Sequence, residues 1–245
     1  MAVALISGGS RGIGAAIALG LAEHGYRVVV NHRASAPQAE DVVSTIVAAG
    51  GEAIAIKADV TEPDDVAAMV DEINQRWGGV DVFVHNALTP YDVTSFANLS
   101  WEQLGGKLDT ELRAAFLTTK AVVPGMISRG HGRLIYLSAL LSRRPRDGMI
   151  TLGTAKAALD QFVKYVALEL APHGITANLV APTTVEGATA TTLVSPERLK
   201  AIAASIPMKR LAHPGEVAKT VAFLASEKAK YITGSALTVD GGANA

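Results

Sequence analysis

No cysteine occurs among the 245 residues. Disulfide cross-links, thiolate metal sites and cysteine nucleophiles are therefore excluded, and the chain can work in a reducing compartment; no metal is expected. Charge of either sign is scarce and balanced: 22 basic and 23 acidic residues leave a formal net charge of -1. A nucleic-acid binder needs a basic excess to meet the phosphate backbone, so DNA or RNA is not an expected partner. No uninterrupted apolar run reaches the roughly eighteen residues a membrane helix needs. The apolar run Ala2 to Ile6 lacks the length and basic flank of a signal segment. The expected location is the cytoplasm, without a membrane partner.

What is present is an apolar chain, 49% hydrophobic, able to bury one sizeable core as a single domain over residues 1–245. Val3 to Ser7 reads as a strand, followed by a Gly-rich turn and a helix to about His24. Val28 to Val30, Ala53 to Lys57, Val80 to Val84, Arg133 to Leu137, Ile175 to Val180 and Ala236 to Val239 read as further strands. Helices are expected from Pro37 to Ala49, after Pro63, near Trp101, from Thr110 to Ser128, from Thr154 to Leu170, after Pro196 and from Pro214 to Ala225. Ser100 and Gln103 are spaced as a capping box for the one near Trp101. Strands separated by helices pair in parallel, which predicts an α/β, Rossmann-type doubly wound sheet of about seven strands between two helical layers. Within it, residues 182–213 open on a stretch without strong period and are expected to form a substrate loop or lid.

Gly8, Gly12 and Gly14, with Ser10, Arg11 and Ile13 between them, lie where the first strand turns into the first helix. Their missing side chains let a pyrophosphate approach the positive end of that helix. At the end of the second strand, where a carboxylate would hold the ribose diol of NAD, the chain has Asn31-His32-Arg33. No carboxylate repels a 2′-phosphate there, and Arg33 with Arg11 can pair with one. NADP(H) is the expected cofactor; a solvated arginine is the alternative for Arg33.

Three more segments join this turn in a resemblance that covers essentially the whole chain. Asp59-Val60, His85-Asn86-Ala87-Leu88 and Val239-Asp240-Gly241-Gly242 are similar to motifs of the short-chain dehydrogenase/reductase family. The resemblance implies a strand order 3-2-1-4-5-6-7, and cofactor contacts from Asp59, Val60, Asn86, Ala87, Lys156 and Pro182. It also implies a homo-oligomer, a dimer or tetramer, paired through the helix starting near Thr154 and the long helix before it. Phe162 and Leu170 could serve that interface or the core.

The family's Tyr-x-x-x-Lys motif falls on Leu152-Gly153-Thr154-Ala155-Lys156, its serine on Ala139 and its helical asparagine on Glu111. In the family the tyrosine gives a proton to the oxygen that gains charge, the serine hydrogen-bonds that oxygen, and the lysine lowers the tyrosine pKa while holding the ribose. Leu152 and Ala139 can do neither, so ordinary ketone reduction is not expected. Leu152-Gly153 and Leu88 are similar to the family's divergent enoyl-thioester reductases, which place the tyrosine seven residues before the lysine; here that residue is Met149. Candidate catalytic groups are Lys156, Glu111 as its buried ion-pair partner, and Tyr91 in the loop after the fourth strand. A surface charge is the rival reading for Glu111 and a structural aromatic for Tyr91. Strand alternation turns Ser138 away from the cleft if Ala139 faces it. His85 reads as a satisfied buried histidine. Leu88, Ala139, Met149, Leu152 and Thr183 are expected to line the substrate pocket. Arg143, Arg144 and Arg146 form a basic loop at the cleft mouth, suited to phosphopantetheine or a carboxylate, or else simply solvated.

Three functions follow as alternatives. The first is NADPH-dependent reduction of an activated C=C bond, as in an enoyl thioester, or of a C=N bond, on a small or carrier-bound acyl substrate. The second is non-redox cyclisation, dehydration or isomerisation in the same pocket. The third is a catalytically inactive member kept for binding.

Overall fold

The computed structural model describes residues 1–188, 191 and 194–245. Seven strands, β1 (Val3–Ile6), β2 (Arg27–His32), β3 (Ala53–Lys57), β4 (Val82–His85), β5 (Gly132–Leu137), β6 (Ile175–Pro182) and β7 (Ala236–Val239), form one sheet in the order β3-β2-β1-β4-β5-β6-β7. Every pairing is parallel. The order reverses between β1 and β4, and a crevice opens at the carboxyl ends of strands on either side of such a switch.

Alternation along each strand builds two cores. Ala4, Ile6, Val28, Val30, Val82, Val84, Ile135 and Leu137 face one side, which is covered by α1 (Gly12–Glu23), α2 (Ala36–Ala48) and α7 (Pro214–Ala225). Val3, Leu5, Val29, Phe83, Leu134 and Tyr136 face the other, under α3 (Pro63–Trp77), α4 (Trp101–Arg129) and α5 (Ile150–Leu170). Side chains of period two, apolar on both faces, are what a fully covered parallel sheet requires. Phe162 and Leu170 pack into the second core; the large apolar groups left exposed on α4 and α5 are Trp101, Phe116, Tyr165 and Leu168, with Ile127 less so.

Two departures from the sequence reading matter for the site. The helix near Trp101 and the one from Thr110 are a single 29-residue helix, α4, which runs through Gly105 and Gly106. Each glycine costs a helix interior about 1 kcal/mol. The Ser100–Gln103 capping box, which forms in both directions, and the buried stripe from Lys107 to Met126 offset that cost. The second departure is that α5 begins at Ile150, so Leu152 lies within the helix, one turn before Lys156. The segment 182–213 starts as the end of β6, makes a bridge from Val185 to Ala212 and contains α6 (Pro196–Ser205). Its residues 189, 190, 192 and 193 lie outside the described residues. Among the described residues no helix is long and apolar enough to cross a membrane.

Candidate active site

The Gly-rich turn is held from behind. Asn86 Nδ2 donates to the carbonyls of Ser7 (3.1 Å) and Gly8 (2.9 Å), and the Ser7 hydroxyl accepts the N–H groups of Asn86 and Ala87. From the other side, Asn31 Oδ1 accepts the Gly8 N–H while its Nδ2 donates to the Ala58 carbonyl at 3.0 Å. Asn31 and Asn86 thus act as struts that tie the turn to the ends of β3 and β4. A Cβ on Gly14 would lie 2.2 Å from the Gly8 carbonyl oxygen and 2.5 Å from Asn86 Nδ2, so only glycine lets α1 start this close to the turn. Gly8 and Gly12 have φ of 63° and 54°, in the left-handed region glycine tolerates.

This corner fits a dinucleotide phosphate. The N-cap residue of α1, Arg11, places no side chain on the first-turn N–H groups, and that turn carries no acid, so its donors and dipole remain open to an anion. Ser10 is buried beneath the turn and Ile13 is half-buried in the first turn of α1. Arg11 and Arg33 are exposed cations at its rim. Arg33 Nη1 stands 3.6 Å from Asp59 Oδ2, the arginine exposed and the carboxylate half-buried, and a phosphate can share the cation. Burial alone would raise the Asp59 carboxyl, but the Thr61 N–H and hydroxyl and then Arg33 hold it below its ordinary value. Val60 is buried beside Asp59. His32 is buried at the end of β2 with Nδ1 unpartnered, and burial lowers its pKa, which leaves a neutral ring with an unfilled hydrogen-bonding position.

Across the sheet, the second-core face of α4 and α5 carries a buried polar centre. Glu111 accepts from Lys156 Nζ at 2.6 Å through Oε1 and from Lys107 Nζ at 2.6 Å through Oε2. Lys107 also donates to the Thr89 carbonyl (3.0 Å) and hydroxyl (2.7 Å), and Lys156 to the Leu137 carbonyl (2.6 Å). Burial would raise the Glu111 carboxyl, yet the Lys156 ammonium and then the other neighbours reverse this and hold it well below the usual carboxylate range. Burial lowers Lys107, partly opposed by Glu111. His85, expected as a satisfied buried histidine, is buried but has neither ring nitrogen hydrogen-bonded; its Nε2 is 3.9 Å from Glu111 Oε1, too far for a bond. Flanked by the Phe83 and Tyr136 rings, it is pushed by burial below its ordinary pKa and is neutral.

The expected Glu111–Lys156 pair therefore forms, and Lys107 and Thr89, which the sequence reading did not single out, complete it. The signal for Lys107 was its spacing four residues before Glu111, hidden while α4 was divided in two. Tyr91 joins from the loop after β4: its half-buried ring sits 5.9 Å from Lys107 Nζ, and the two share a cavity of about 250 Å³ with Pro90, Asp92 and Glu102. Tyr136 is committed to the core, bonded to the Thr119 hydroxyl at 2.7 Å. Ser138 donates to Asp160, which also takes the Ser142 hydroxyl at 2.8 Å and lies 3.7 Å from Arg143, so the start of the basic loop is stapled to α5. Arg144 and Arg146 are exposed.

Of the residues expected to line the substrate pocket, Leu152 is buried, Ala139 and Met149 are half-buried and Leu88 is exposed. Thr183, following the buried Pro182, lines a different cavity of about 310 Å³, formed with Ile206, Met208 and the ends of β6 and β7, which none of those four residues lines.

The sheet order, the glycine turn clamped by Asn86 and the lysine of α5 belong together in one class of protein: the chain is a member of the short-chain dehydrogenase/reductase family. Its residues 8–244 match the family described as enoyl-(acyl carrier protein) reductase. It is similar to the 3-oxoacyl-[acyl-carrier-protein] reductase FabG of Staphylococcus epidermidis, with 39% identity over 98% of this chain and 97% of that one. Among solved structures it is similar to a double mutant of a Serratia marcescens short-chain dehydrogenase/reductase, with 33% identity, a TM-score of 0.91 and coverage of 100% and 98% of the two chains. It is likewise similar to YwfH, an NADPH-dependent reductase involved in bacilysin biosynthesis, with 30% identity, a TM-score of 0.92 and coverage of 99% and 98%.

Proposed function

We propose that this chain is an NADP(H)-dependent reductase of an acyl thioester carrying a conjugated C=C bond, working without the family's tyrosine and serine. One observation carries the reading: where those hydroxyls are expected stand Leu152 and Ala139, and one turn after Leu152 the ammonium of Lys156 is held by Glu111. The thioester class is supported by the match to the enoyl-(acyl carrier protein) reductase family and by the name of the Staphylococcus relative; NADPH is supported by Arg11 and Arg33 and by the description of YwfH.

The turn at Gly8 to Gly14 would hold the pyrophosphate, Arg33 and Arg11 the 2′-phosphate, and the end of β4 at Asn86 and Ala87 the nicotinamide side. When bound, the dinucleotide supplies hydride to the β-carbon of the substrate. The electron pair of the C=C bond then moves toward the thioester oxygen, which becomes an enolate oxygen, and a proton from water completes the α-carbon. Lys156 serves as the donor to that oxygen. Its ammonium has three N–H groups, of which Glu111 and the Leu137 carbonyl take two. A ketone needs its oxygen protonated as hydride arrives, whereas an enolate needs only stabilisation until carbon is protonated; this is why loss of the hydroxyls disfavours ketones more. A C=N substrate fits the same donor. Tyr91, near Lys107, closes the wall of the neighbouring cavity. The exposed Arg144 and Arg146 suit the phosphate of a pantetheine arm. The exposed faces of α4 and α5 at Phe116, Tyr165 and Leu168 suit pairing into a dimer or tetramer.

The test is calorimetric binding of NADPH and NADH, followed by NADPH oxidation with a 2-enoyl thioester, the matching 3-oxoacyl thioester and a cyclic imine. Tighter NADPH binding with turnover of the enoyl thioester is expected. Faster turnover of the 3-oxoacyl thioester would overturn the choice of bond and would align the chain with the activity named for its Staphylococcus relative.

A further inference from the structure

Lys107, Glu111 and Lys156 contain two cations and one anion, and among the described residues no further Asp, Glu, Lys or Arg is paired with them. His85 is neutral, so the sum is +1. Asp92 and Glu102 share a cavity wall with Lys107 but are exposed, where water screens them. An uncompensated charge in the interior is costly, and proteins keep one where an opposite charge arrives during function.

The donor count shows where that charge is offered. Lys107 meets three acceptors with its three N–H groups, two of them on Thr89 and one on Glu111, and its side chain is 1% exposed. It is saturated and has no N–H left to offer a ligand. Lys156 has two protein acceptors, one donor to spare and the larger exposure of the pair, 6%. A Glu111–Lys156 pair alone would sum to zero, and the carboxylate would cancel most of the field an oxyanion meets. Because Lys107 takes the second carboxylate oxygen, that cancellation does not occur.

We propose that Lys107 is a positioning residue that keeps the Glu111–Lys156 pair net positive, and so makes the pair a binding site for an oxyanion on the substrate. This rests on the reading that Lys156 faces the reacting oxygen, and it adds a residue, Lys107, that donates no hydrogen bond to the substrate. The function of Glu111 is then to hold Lys156 in place, and that of Lys107 is to undo the electrostatic cost of doing so.

The test uses 4-nitrophenol, whose phenolate absorbs in the visible and whose ionisation reports a local positive field without turnover. The full-length protein should bind it and ionise it at a pH where it is largely neutral in water. Lys107→Met should return its ionisation to the solution value, and Lys107→Arg, which keeps the charge, should retain the shift. The decisive variant is Lys107→Met with Glu111→Gln, which removes one charge of each sign and restores +1 through Lys156 alone; it should regain the shift. With a crotonyl thioester, kcat should follow the same order, and Lys107→Met should fall by about tenfold, less than the about 10²–10³ lost with a direct oxyanion donor. Failure of the wild-type protein to ionise the probe, unchanged ionisation in Lys107→Met, or a double variant as weak as the single one would each overturn the assignment. The probe needs neither NADPH nor thioester, so absence of reductase activity with a normal probe response would sink the reductase reading and leave this one standing.

Discussion

Glu111 of α4 and Lys156 of α5 meet at 2.6 Å, carboxylate oxygen to ammonium nitrogen, across 45 positions of sequence and with both side chains buried. Two neighbouring helices are thereby pinned at the carboxyl ends of β4 and β5, where the site lies. Removing the carboxylate strands two ammonium groups in the interior. Glu111→Ala should therefore cost about 3–5 kcal/mol, read as a lower urea midpoint, with Glu111→Gln costing less because it keeps two polar atoms in place.

His85 sets an acid sensitivity. Its pKa in the fold lies below the ordinary 6.5, so below that pH the unfolded chain binds a proton that the folded chain refuses. Stability should thus fall as pH drops below about 6.5. Glu111, whose folded pKa is also lowered, adds loss of the same sign below its ordinary 4.5. His85→Phe, placed among the rings of Phe83 and Tyr136, should make the thermal-melt curve shallower between about pH 6.5 and pH 5, where His32, also lowered by burial, supplies the remaining slope, and leave the steeper decline below it. An unchanged curve would show that His85 does not titrate on unfolding.

Gly14→Ala forces a Cβ against the Gly8 carbonyl and Asn86 Nδ2. Backbone must move to relieve it, at about 1–3 kcal/mol. The movement opens the turn that Asn86 and Asn31 hold, so NADPH affinity measured by calorimetry should fall more steeply than the melting temperature.

Arg33 is mostly exposed and stands 3.6 Å from Asp59. Arg33→Ala should leave the melting temperature unchanged and weaken NADPH by about tenfold, the scale of one charge-assisted hydrogen bond. NADH, without the 2′-phosphate, should bind as before. Equal loss for both dinucleotides would remove Arg33 from the 2′-phosphate site.

Leu152 lies one turn before Lys156 and Ala139 follows β5, and the proposed reading puts the family's tyrosine and serine positions on these two residues. Leu152→Tyr with Ala139→Ser should gain turnover of a 3-oxoacyl thioester, at a stability cost of about 1–3 kcal/mol for the larger buried side chain. No gain, in a protein that still binds NADPH, would mean that Glu111 and Lys107 have committed Lys156 to another geometry.

The sheet and its two faces are legible in the order of the residues alone. Alternation from Val3 to Ile6 and from Leu134 to Leu137 is local, as are the glycines at 8, 12 and 14 and the capping pair Ser100 and Gln103. Each depends on near neighbours in the chain and is readable there. The absence of hydroxyls at 139 and 152 is legible there too.

The surroundings of Lys156 follow from long-range packing. That α4 continues through two glycines depends on the face it buries, and this continuity places Lys107 one turn from Glu111. The pairing of Glu111 with Lys156, the use of Asn31 and Asn86 as struts, and the diversion of Ser138 to Asp160 all join residues from different elements. In a sequence a charge is just a charge; whether it is solvated, paired or left in excess depends on which helix packs against it and on how much water that packing removes.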